Sequence, residues 1–299
     1  MLDTATKPPL ARSYAEVTEI RAADPGAIAR AWRARTRRST TRGDGRLMVI
    51  AADHPARNAL GAGSRPEAMA SRVELLDRLQ VALARCGVDG LLATADIAED
   101  LLLLGALEDK VVLASMNRGG LQGASFELDD RMTAYDVRGA LEAGVNGAKM
   151  LCRIALDEPD SLATMHACAD AVTGLARAGL VAMVEPFWSA RVGGTVVNDL
   201  SPEAVIRSIH VAQGFGATSA YTWMKLPVVE DMERVMAPTT LPTLLLGGDP
   251  ENGAEGAYAS WQHALSLPSV RGLVVGRTLL YPGDDDVAKA VDAAVSLVR

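Results

Sequence analysis

Hydrophobic and polar residues follow one another along the chain in blocks, with short apolar runs separated by amphipathic stretches. Eight of these runs carry a polar, charged or glycine residue at or near their carboxyl end, which is typical of strands buried on both faces. The predicted strands occupy residues 46–54, 88–96, 110–117, 144–153, 180–187, 217–226, 241–248 and 270–277. Helical patterns lie between them, for example over residues 69–86 and 134–143.

The repeated alternation of strand and helix shows no break in composition. It predicts an α/β protein built as a single (β/α)8 TIM barrel. Residues 1–45 precede the first strand and contain a tail followed by two helical patterns. We therefore predict an N-terminal helical extension over residues 1–45 and a catalytic barrel domain over residues 46–299. Two doubly wound domains are the alternative, but the sequence contains no linker between them.

Composition and charge narrow the class of partner. The net charge is −7 and no run of five or more basic residues occurs, so we expect no nucleic acid to bind. The N-terminus has no signal-peptide pattern, and no apolar stretch is long enough to span a membrane. Cys86, Cys152 and Cys168 form neither a disulfide framework nor a metal-ligand pattern, which fits a reducing compartment. We therefore predict a cytoplasmic protein.

Two lysines stand out in a chain that uses arginine for most of its positive charges. Lys149 and Lys225 lie in the apolar runs NGAKML and AYTWMK, which are predicted to be buried. Burial lowers the pKa of an ammonium group, and the resulting amine can attack a carbonyl, which arginine cannot do. We predict that Lys225 forms an imine with a ketone. Lys149 is then a companion that lowers the pKa of Lys225 or orients substrate oxygens. The structural alternative is an ion pair with a carboxylate.

Other polar residues end the predicted strands, and in a TIM barrel functional side chains gather at the carboxyl ends of the strands. Glu185 would balance the lysine charges and move protons, and Asp53 would bind substrate hydroxyls or relay a proton. An ion-pair role is the alternative for Glu185, and His54 is interpreted as structural. The complete set of strand-end residues is Asp53, Asp96, Asn117, Lys149, Glu185, Lys225, Gly247, Gly248, Gly276 and Arg277.

Glycines follow the seventh and eighth strands, where many barrels bind phosphate through backbone N–H groups. Glycine allows close approach of the backbone to an anion, and Arg277 would add a bidentate contact. The predicted phosphate residues are Gly247, Gly248, Gly276 and Arg277. Arg153 is a further candidate for binding a substrate anion, and a surface arginine is the alternative. Asp249 argues against phosphate because it would place a negative charge nearby.

Several short motifs occur in a fixed order along the barrel: AADH, GAKML, VEPF, VVNDLSPEAV, YTWMKLPV, LLLGGDP and LVVGRTLLY. With them the chain resembles the class I aldolase superfamily of deoxyribose-phosphate and tagatose-bisphosphate aldolases. It looks nearest to the tagatose-bisphosphate/sulfofructose-phosphate branch and to proteins found with inositol catabolism. The resemblance implies that Lys225 is the imine lysine. The archaeal fructose-bisphosphate branch usually has a tyrosine at the strand-four position, where this chain has Lys149 or Arg153.

We therefore predict a metal-independent class I aldolase that needs no cofactor. It would cleave or form a C–C bond of a phosphorylated ketose or keto-sugar acid, in carbohydrate or inositol catabolism. The expected partner is a small sugar phosphate, and the resemblance implies a homo-oligomer. One alternative is a metal-dependent barrel lyase or isomerase, although the four histidines supply no evident ligand set. The other alternative is a barrel that binds a sugar phosphate without chemistry.

Overall fold

Eight parallel strands close into a barrel in the computed structural model, which describes residues 8–40, 43–247 and 253–299. Each barrel strand pairs with the next along the chain, and the last pairs with the first. The predicted TIM barrel is therefore confirmed. The strands are β1 (Leu47–Ala51), β2 (Gly90–Ala93), β3 (Val111–Ser115), β4 (Gly147–Ile154), β5 (Val181–Val192), β6 (Thr195–Asp199), β7 (Thr222–Pro227), β8 (Thr243–Leu246) and β9 (Val270–Val275). Of these, β6 lies outside the ring and pairs antiparallel with β5.

Helices cover the outside of the barrel and precede it at the N-terminus. Several begin at a residue whose side chain caps the first turn, as Ser71 and Ser201 do by accepting backbone N–H groups. The helices are α1 (Tyr14–Ala23), α2 (Gly26–Ala34), α3 (Arg72–Ala84), α4 (Ala95–Leu103), α5 (Val137–Ala143), α6 (Asp160–Arg177), α7 (Pro202–Ala212), α8 (Met232–Met236), α9 (Gly253–Leu265), α10 (Arg277–Leu280) and α11 (Val287–Val298). A 3-10 turn covers Pro55–Arg57.

The two N-terminal helices pack on the outer helices of the barrel. The Tyr14 hydroxyl donates to Asp77 in α3, and Arg21 lies 2.8 Å from a carboxylate oxygen of Asp100 in α4. Just before α1, the backbone N–H of Ala11 donates to the carbonyl of Leu103. The extension is therefore held to the barrel by contacts with the helices that flank β2.

Alternation along each strand decides which side chains enter the barrel. Leu47, Val49 and Ala51 belong to an apolar cluster that also contains inward residues of six other strands. Successive strand residues face opposite sides, so the residue two places after the last apolar one points inward again. By this rule the inward positions at the carboxyl ends include Asp53 after Ala51, Glu185 after Met183 and Lys225 after Trp223.

The strand β5 is longer than the sequence predicts. The sequence pattern predicts a strand only as far as residue 187, but β5 continues to Val192 and turns through Gly193 and Gly194 into β6. The two glycines have φ values of 57° and 86°, which suit the tight turn of a hairpin. The hairpin is largely exposed, so its residues lack the apolar run that identifies a buried strand.

No helix in the part of the chain described by the structure combines the length and apolar character needed to cross a membrane.

Glycine is required at position 272, where β9 pairs with β1 and closes the barrel. Its φ is 127°, and a Cβ atom there would lie 1.9 Å from the carbonyl oxygen of Leu47 in β1. We predict that Gly272→Ala lowers the free energy of unfolding in urea by about 3 kcal/mol or more. Gly283→Ala is the matched control, because nothing lies within 4 Å of the position that a Cβ atom would take there. Equal stability of the two variants would contradict the role assigned to Gly272.

Candidate active site

A cavity of about 600 Å³ opens at the carboxyl ends of the barrel strands. Among the described residues, its lining contains five cationic side chains and two carboxylates, and this balance favours an anionic or highly polar ligand. The charged lining residues are Asp53, Arg57, Arg118, Lys149, Glu185, Lys225 and Arg277. All four residues predicted to be catalytic, Asp53, Lys149, Glu185 and Lys225, are brought together here.

The carboxylate of Glu185 bridges the two lysines. Its Oε2 lies 2.9 Å from Lys149 Nζ, and its Oε1 lies 2.9 Å from Lys225 Nζ. Lys149 is completely buried and Lys225 is only 3% exposed. The two amines are therefore held on either side of one acidic group, out of bulk solvent.

Asp53 continues this network on the other side of Lys149. Its Oδ2 lies 2.8 Å from Lys149 Nζ and accepts a 2.8 Å hydrogen bond from the hydroxyl of Ser115. Arg118 Nη1 lies 3.4 Å from the same oxygen. Ser115 and Lys149 are register partners in β3 and β4, which explains why both side chains reach one oxygen of Asp53.

Lys149 was expected at the end of a strand but lies within β4, whose last residue is Ile154. The carboxyl end of β4 extends beyond the level of Lys149, and the carboxyl end of β5 extends beyond the level of Glu185. These two strands pair over eight residues, from Gly147 with Val181 to Ile154 with Trp188. They form a wall on one side of the cavity.

The network perturbs the protonation of its members. Burial alone would raise the pKa of Asp53, but the charges of Arg118, Lys149 and Lys225 hold it well below its ordinary value. Burial likewise opposes ionisation of Glu185, yet Lys149 and Lys225 lower the pKa of Glu185 to about 2. Both carboxylates are therefore ionised at neutral pH and act as hydrogen-bond acceptors.

The pKa of Lys149 moves in the direction that favours the neutral amine. Burial lowers it most, the charge of Arg118 lowers it further, and the attraction of Asp53 and Glu185 only partly compensates. Lys149 therefore gives up a proton more readily than a solvated lysine does. Such a group can exchange protons with a reacting molecule.

The predicted phosphate residues lie on the side of the cavity formed by β8 and β9. Gly247, Gly276 and Arg277 line the cavity, whereas Gly248 lies outside the described residues, as does Asp249. Close packing already excludes a side chain at both lining glycines. A Cβ at Gly276 would lie 2.2 Å from the carbonyl oxygen of Ala51, and one at Gly247 would lie 2.5 Å from Val275 Cγ1. Arg277 Nη1 donates to the carbonyl oxygen of Gly61 over 3.2 Å.

Arg153 does not line the cavity, in contrast to its expected role in anion binding. It is only 2% exposed, and its Nη1 lies 2.6 Å from a carboxylate oxygen of Glu127. Its Nη2 donates to the carbonyl oxygens of Gly120 and Glu127. Arg153 therefore holds the loop between β3 and α5 against β4, and we do not include it among the proposed ligands.

Two other strand-end residues also lie outside the cavity lining. Asp96 is the second residue of α4, and its carboxylate forms an ion pair with Arg72. Asn117 is fully buried, and its amide accepts from the backbone N–H of Leu151 and donates to the carbonyl oxygens of Asp130 and Leu151. Both side chains are used to hold the backbone and neighbouring elements in place.

The sequence did not indicate several side chains that line the cavity or support it. Arg57 lies in the turn after β1, and Arg118 lies in the loop after β3. Asn198 comes from the unexpected hairpin strand β6, and Trp261 comes from α9. Ser115, which supports the cavity through Asp53, could have been identified from strand alternation, because it stands two residues after the inward-facing Leu113.

Within the described ranges, no three His, Cys, Asp or Glu side chains come together in a way that could hold a metal ion.

Glu185 gives the protein a specific response to acid. Its pKa in the folded state is about 2, below its ordinary value of 4.5, so its stabilising effect is complete above pH 4.5 and disappears as the pH falls towards 2. We predict that Glu185→Gln is less stable than the wild type at pH 6. By pH 3 this difference should shrink by about 2 kcal/mol in urea unfolding.

An exposed glutamate provides the comparison. Glu142 forms an i,i+4 pair with Arg138 on the surface of α5, where solvent screens the interaction. The stability difference between Glu142→Gln and the wild type should stay within about 0.5 kcal/mol of its pH 6 value. A constant difference for Glu185→Gln between pH 6 and pH 3 would contradict the assigned ionisation.

Solved structures with the same fold include aldolases. A Schiff-base-forming fructose-1,6-bisphosphate aldolase is 18% identical, covers 91% of this chain and 100% of its own, and has a TM-score of 0.62. A fructose-bisphosphate aldolase from Slackia heliotrinireducens is 14% identical, with a TM-score of 0.65 and coverage of 92% of this chain and 87% of its own. At these identities the similarity establishes the TIM-barrel fold.

A much more similar structure is that of Cgl0159 from Corynebacterium glutamicum. It is 55% identical to this chain, with a TM-score of 0.94, and the match covers 97% of this chain and 99% of that one. No curated protein matches the sequence. The family model described as Cgl0159-like matches residues 45–295, nearly the whole barrel. The chain therefore belongs to the Cgl0159-like family.

Proposed function

We propose that the protein is a class I aldolase in which Lys225 forms an imine with a ketone substrate. The observation that carries the proposal is the bridge from Lys149 through Glu185 to Lys225, buried in a cavity at the carboxyl ends of the barrel strands. A buried amine beside a second cation and an ionised carboxylate is an arrangement that activates lysine as a nucleophile. The shared fold of Schiff-base-forming aldolases agrees with this choice.

Lys225 rather than Lys149 is the proposed nucleophile. Lys149 is held between Asp53 and Glu185 and has no exposed surface, whereas Lys225 forms its ion pair with Glu185 and retains 3% exposure. Lys225 can therefore reach a carbonyl carbon by giving up one ionic contact. Lys149, whose pKa is lowered by burial and by Arg118, is the proposed proton donor and acceptor.

The reaction can be written with these groups alone. The neutral amine of Lys225 adds to the ketone carbon, the carbonyl oxygen takes up a proton, and loss of water gives a protonated imine. In the cleavage direction, the hydroxyl two carbons from the imine carbon loses its proton and its oxygen becomes an aldehyde. The broken C–C bond leaves its electron pair as an enamine, which is then protonated, and hydrolysis of the imine restores Lys225. Lys149 would carry the protons, while Asp53 and Glu185 stay ionised and orient the reacting groups.

The proposed substrate is a phosphorylated ketose or keto-sugar acid, cleaved to or formed from a three-carbon carbonyl compound. The excess of cations over carboxylates in the cavity supports an anionic substrate. Arg277, Gly247 and Gly276 stand together on the β8–β9 side, and we propose that they bind the phosphate, with Gly248 beside them in the sequence. The sequence resemblance favours the tagatose-bisphosphate/sulfofructose-phosphate branch and a role in carbohydrate or inositol catabolism.

The sequence predictions add two further parts to the proposal. Residues 46–299 would form the catalytic unit, with residues 1–45 as an extension attached to it. The protein would act in the cytoplasm as a homo-oligomer.

Reduction with borohydride tests the nucleophile directly. We predict that incubation with dihydroxyacetone phosphate followed by borohydride adds the mass of the reduced ketone to a peptide containing Lys225. Lys225→Met should abolish the adduct, because no other amine in the cavity is proposed to attack. Lys289→Met, which alters an exposed lysine paired with Asp284, should leave it unchanged.

The position of the adduct decides between related accounts. An adduct on Lys149 would retain the aldolase and exchange the roles of the two lysines. The complete absence of an adduct with a broad panel of phosphorylated and unphosphorylated ketones would instead favour a barrel that binds its ligand without chemistry.

A second measurement tests the proposed phosphate site. We predict that Arg277→Met raises the concentration of dihydroxyacetone phosphate needed for half-maximal trapping by about 10- to 100-fold, because a charged hydrogen bond is lost. Trapping of unphosphorylated dihydroxyacetone should change by less than about threefold. An equal effect on both ketones would show that Arg277 supports the fold of the cavity and does not bind the phosphate.

A further inference from the structure

Several buried polar atoms in the cavity lining lack hydrogen-bond partners among the described residues. Oδ1 of Asp53 and Nη2 of Arg118 are two of them, and Nζ of Lys149 and Nδ1 of His54 are others. Asp53 is 1% exposed and Arg118 is 5% exposed, and both residues line the cavity. A buried polar atom without a partner is unfavourable, so such atoms in a binding cavity indicate where a ligand makes hydrogen bonds.

The rest of each side chain is fixed by its surroundings. Asp53 Oδ2 already accepts a hydrogen bond from Ser115 and forms an ion pair with Lys149, which leaves Oδ1 as the available acceptor. Arg118 Nε donates to the carbonyl oxygen of Asn117 over 2.5 Å, and Nη1 lies 3.4 Å from Asp53 Oδ2. The available nitrogen, Nη2, is a donor. Asp53 therefore provides one available acceptor and Arg118 one available donor, and the two side chains already contact each other.

We propose that Arg118 and Asp53 together bind one hydroxyl group of the substrate, which accepts a hydrogen bond from Arg118 Nη2 and donates one to Asp53 Oδ1. This inference rests on the proposed aldolase function and makes Arg118 a specificity-determining residue. A hydroxyl group has both the donor and the acceptor that this pair requires. A phosphate or carboxylate fits less well, because the ionised Asp53 would repel it beside Arg118.

The order of the strands identifies which hydroxyl is bound. Arg118 follows β3, which stands opposite β8 in the ring, so it faces the proposed phosphate residues from across the cavity. Lys225 projects from β7, next to β8, and is linked to Asp53 through Glu185 and Lys149. Although Asp53 follows β1, the neighbour of β9, its carboxylate contacts Ser115 of β3 and Lys149 of β4, on the side of the ring away from β8. A ketone on Lys225 whose phosphate arm lies at β8 and β9 therefore directs its other arm towards this carboxylate. The bound group is then the hydroxyl on the carbon next to the carbonyl, in the arm that carries no phosphate.

The substrate class is therefore a phosphorylated α-hydroxyketone rather than a deoxy ketone. A site that hydrogen-bonds a hydroxyl group rejects an analogue without it, because its own buried polar atoms then remain unpaired. Removal of the hydroxyl should weaken binding even if the phosphate and the ketone are unchanged.

Two three-carbon ketones differ only in this group. Dihydroxyacetone phosphate carries the hydroxyl, and hydroxyacetone phosphate has a methyl group in place of the free hydroxymethyl. In borohydride trapping, the wild type should be half-saturated by dihydroxyacetone phosphate at a concentration about 10- to 100-fold lower. In Arg118→Met this preference should fall to about threefold or less, because the concentration required rises mainly for the hydroxylated ketone.

Two further variants separate recognition from structural support. Arg118→Lys keeps a positive charge beside Asp53 but has no second guanidinium nitrogen, so it should also lose most of the preference. Arg131→Met alters an exposed arginine paired with Asp129 in the same loop and should retain the wild-type preference. Urea unfolding of each variant identifies any loss of binding that follows from a change in stability.

The possible outcomes have different meanings. Equal trapping of the two ketones by the wild type, or equal weakening of both by Arg118→Met, would overturn the role of Arg118 while leaving the aldolase intact. If neither of these two ketones forms an adduct with the wild type, the inference about Arg118 fails. The aldolase proposal fails with it only if the broad panel of ketones also gives no adduct.

Discussion

The candidate site depends on one carboxylate held between two buried ammonium groups. Glu185 contacts Lys149 and Lys225 through its two oxygens, and Asp53 contacts Lys149 from the other side. Removing several charges from water costs more free energy than their attraction generally returns, so such a cluster contributes little to net stability. Its presence inside an otherwise apolar barrel is therefore better explained by the chemistry that it allows.

The barrel provides the conditions for this chemistry through simple alternation. The inward residues of the lower strand segments are apolar and fill the interior, and the next inward positions carry Asp53, Glu185 and Lys225. These charged side chains lie above a closed apolar core and face the open end of the ring. The same burial that perturbs the pKa of Lys149 also keeps the side chains in fixed positions, so that little reorganisation is needed when a substrate binds.

Much of this arrangement could be predicted from the sequence, because the barrel strands are short apolar runs and their polar ends form the candidate site. The runs around Lys149, Glu185 and Lys225 identified both the strands and the residues that the structure brings together.

The prediction for Arg153 differed from the structure because its partner Glu127 lies in a loop, and no periodic pattern shows that such a loop folds back over the strand. The sequence also gives no signal for Arg118, because an arginine in a loop cannot be distinguished by pattern from an ordinary solvated charge. The hairpin that contributes Asn198 was missed because its strands are exposed and polar.

The central claim is that Lys225 forms the covalent bond while Lys149 remains a free amine. A crystal structure of the protein after borohydride reduction with dihydroxyacetone phosphate tests it most directly. The account predicts continuous electron density from Lys225 Nζ to the central carbon of the reduced ketone, with the phosphate towards Arg277. Density that joins the ketone to Lys149, or a ketone-derived adduct outside the cavity with both lysines unmodified, would contradict it.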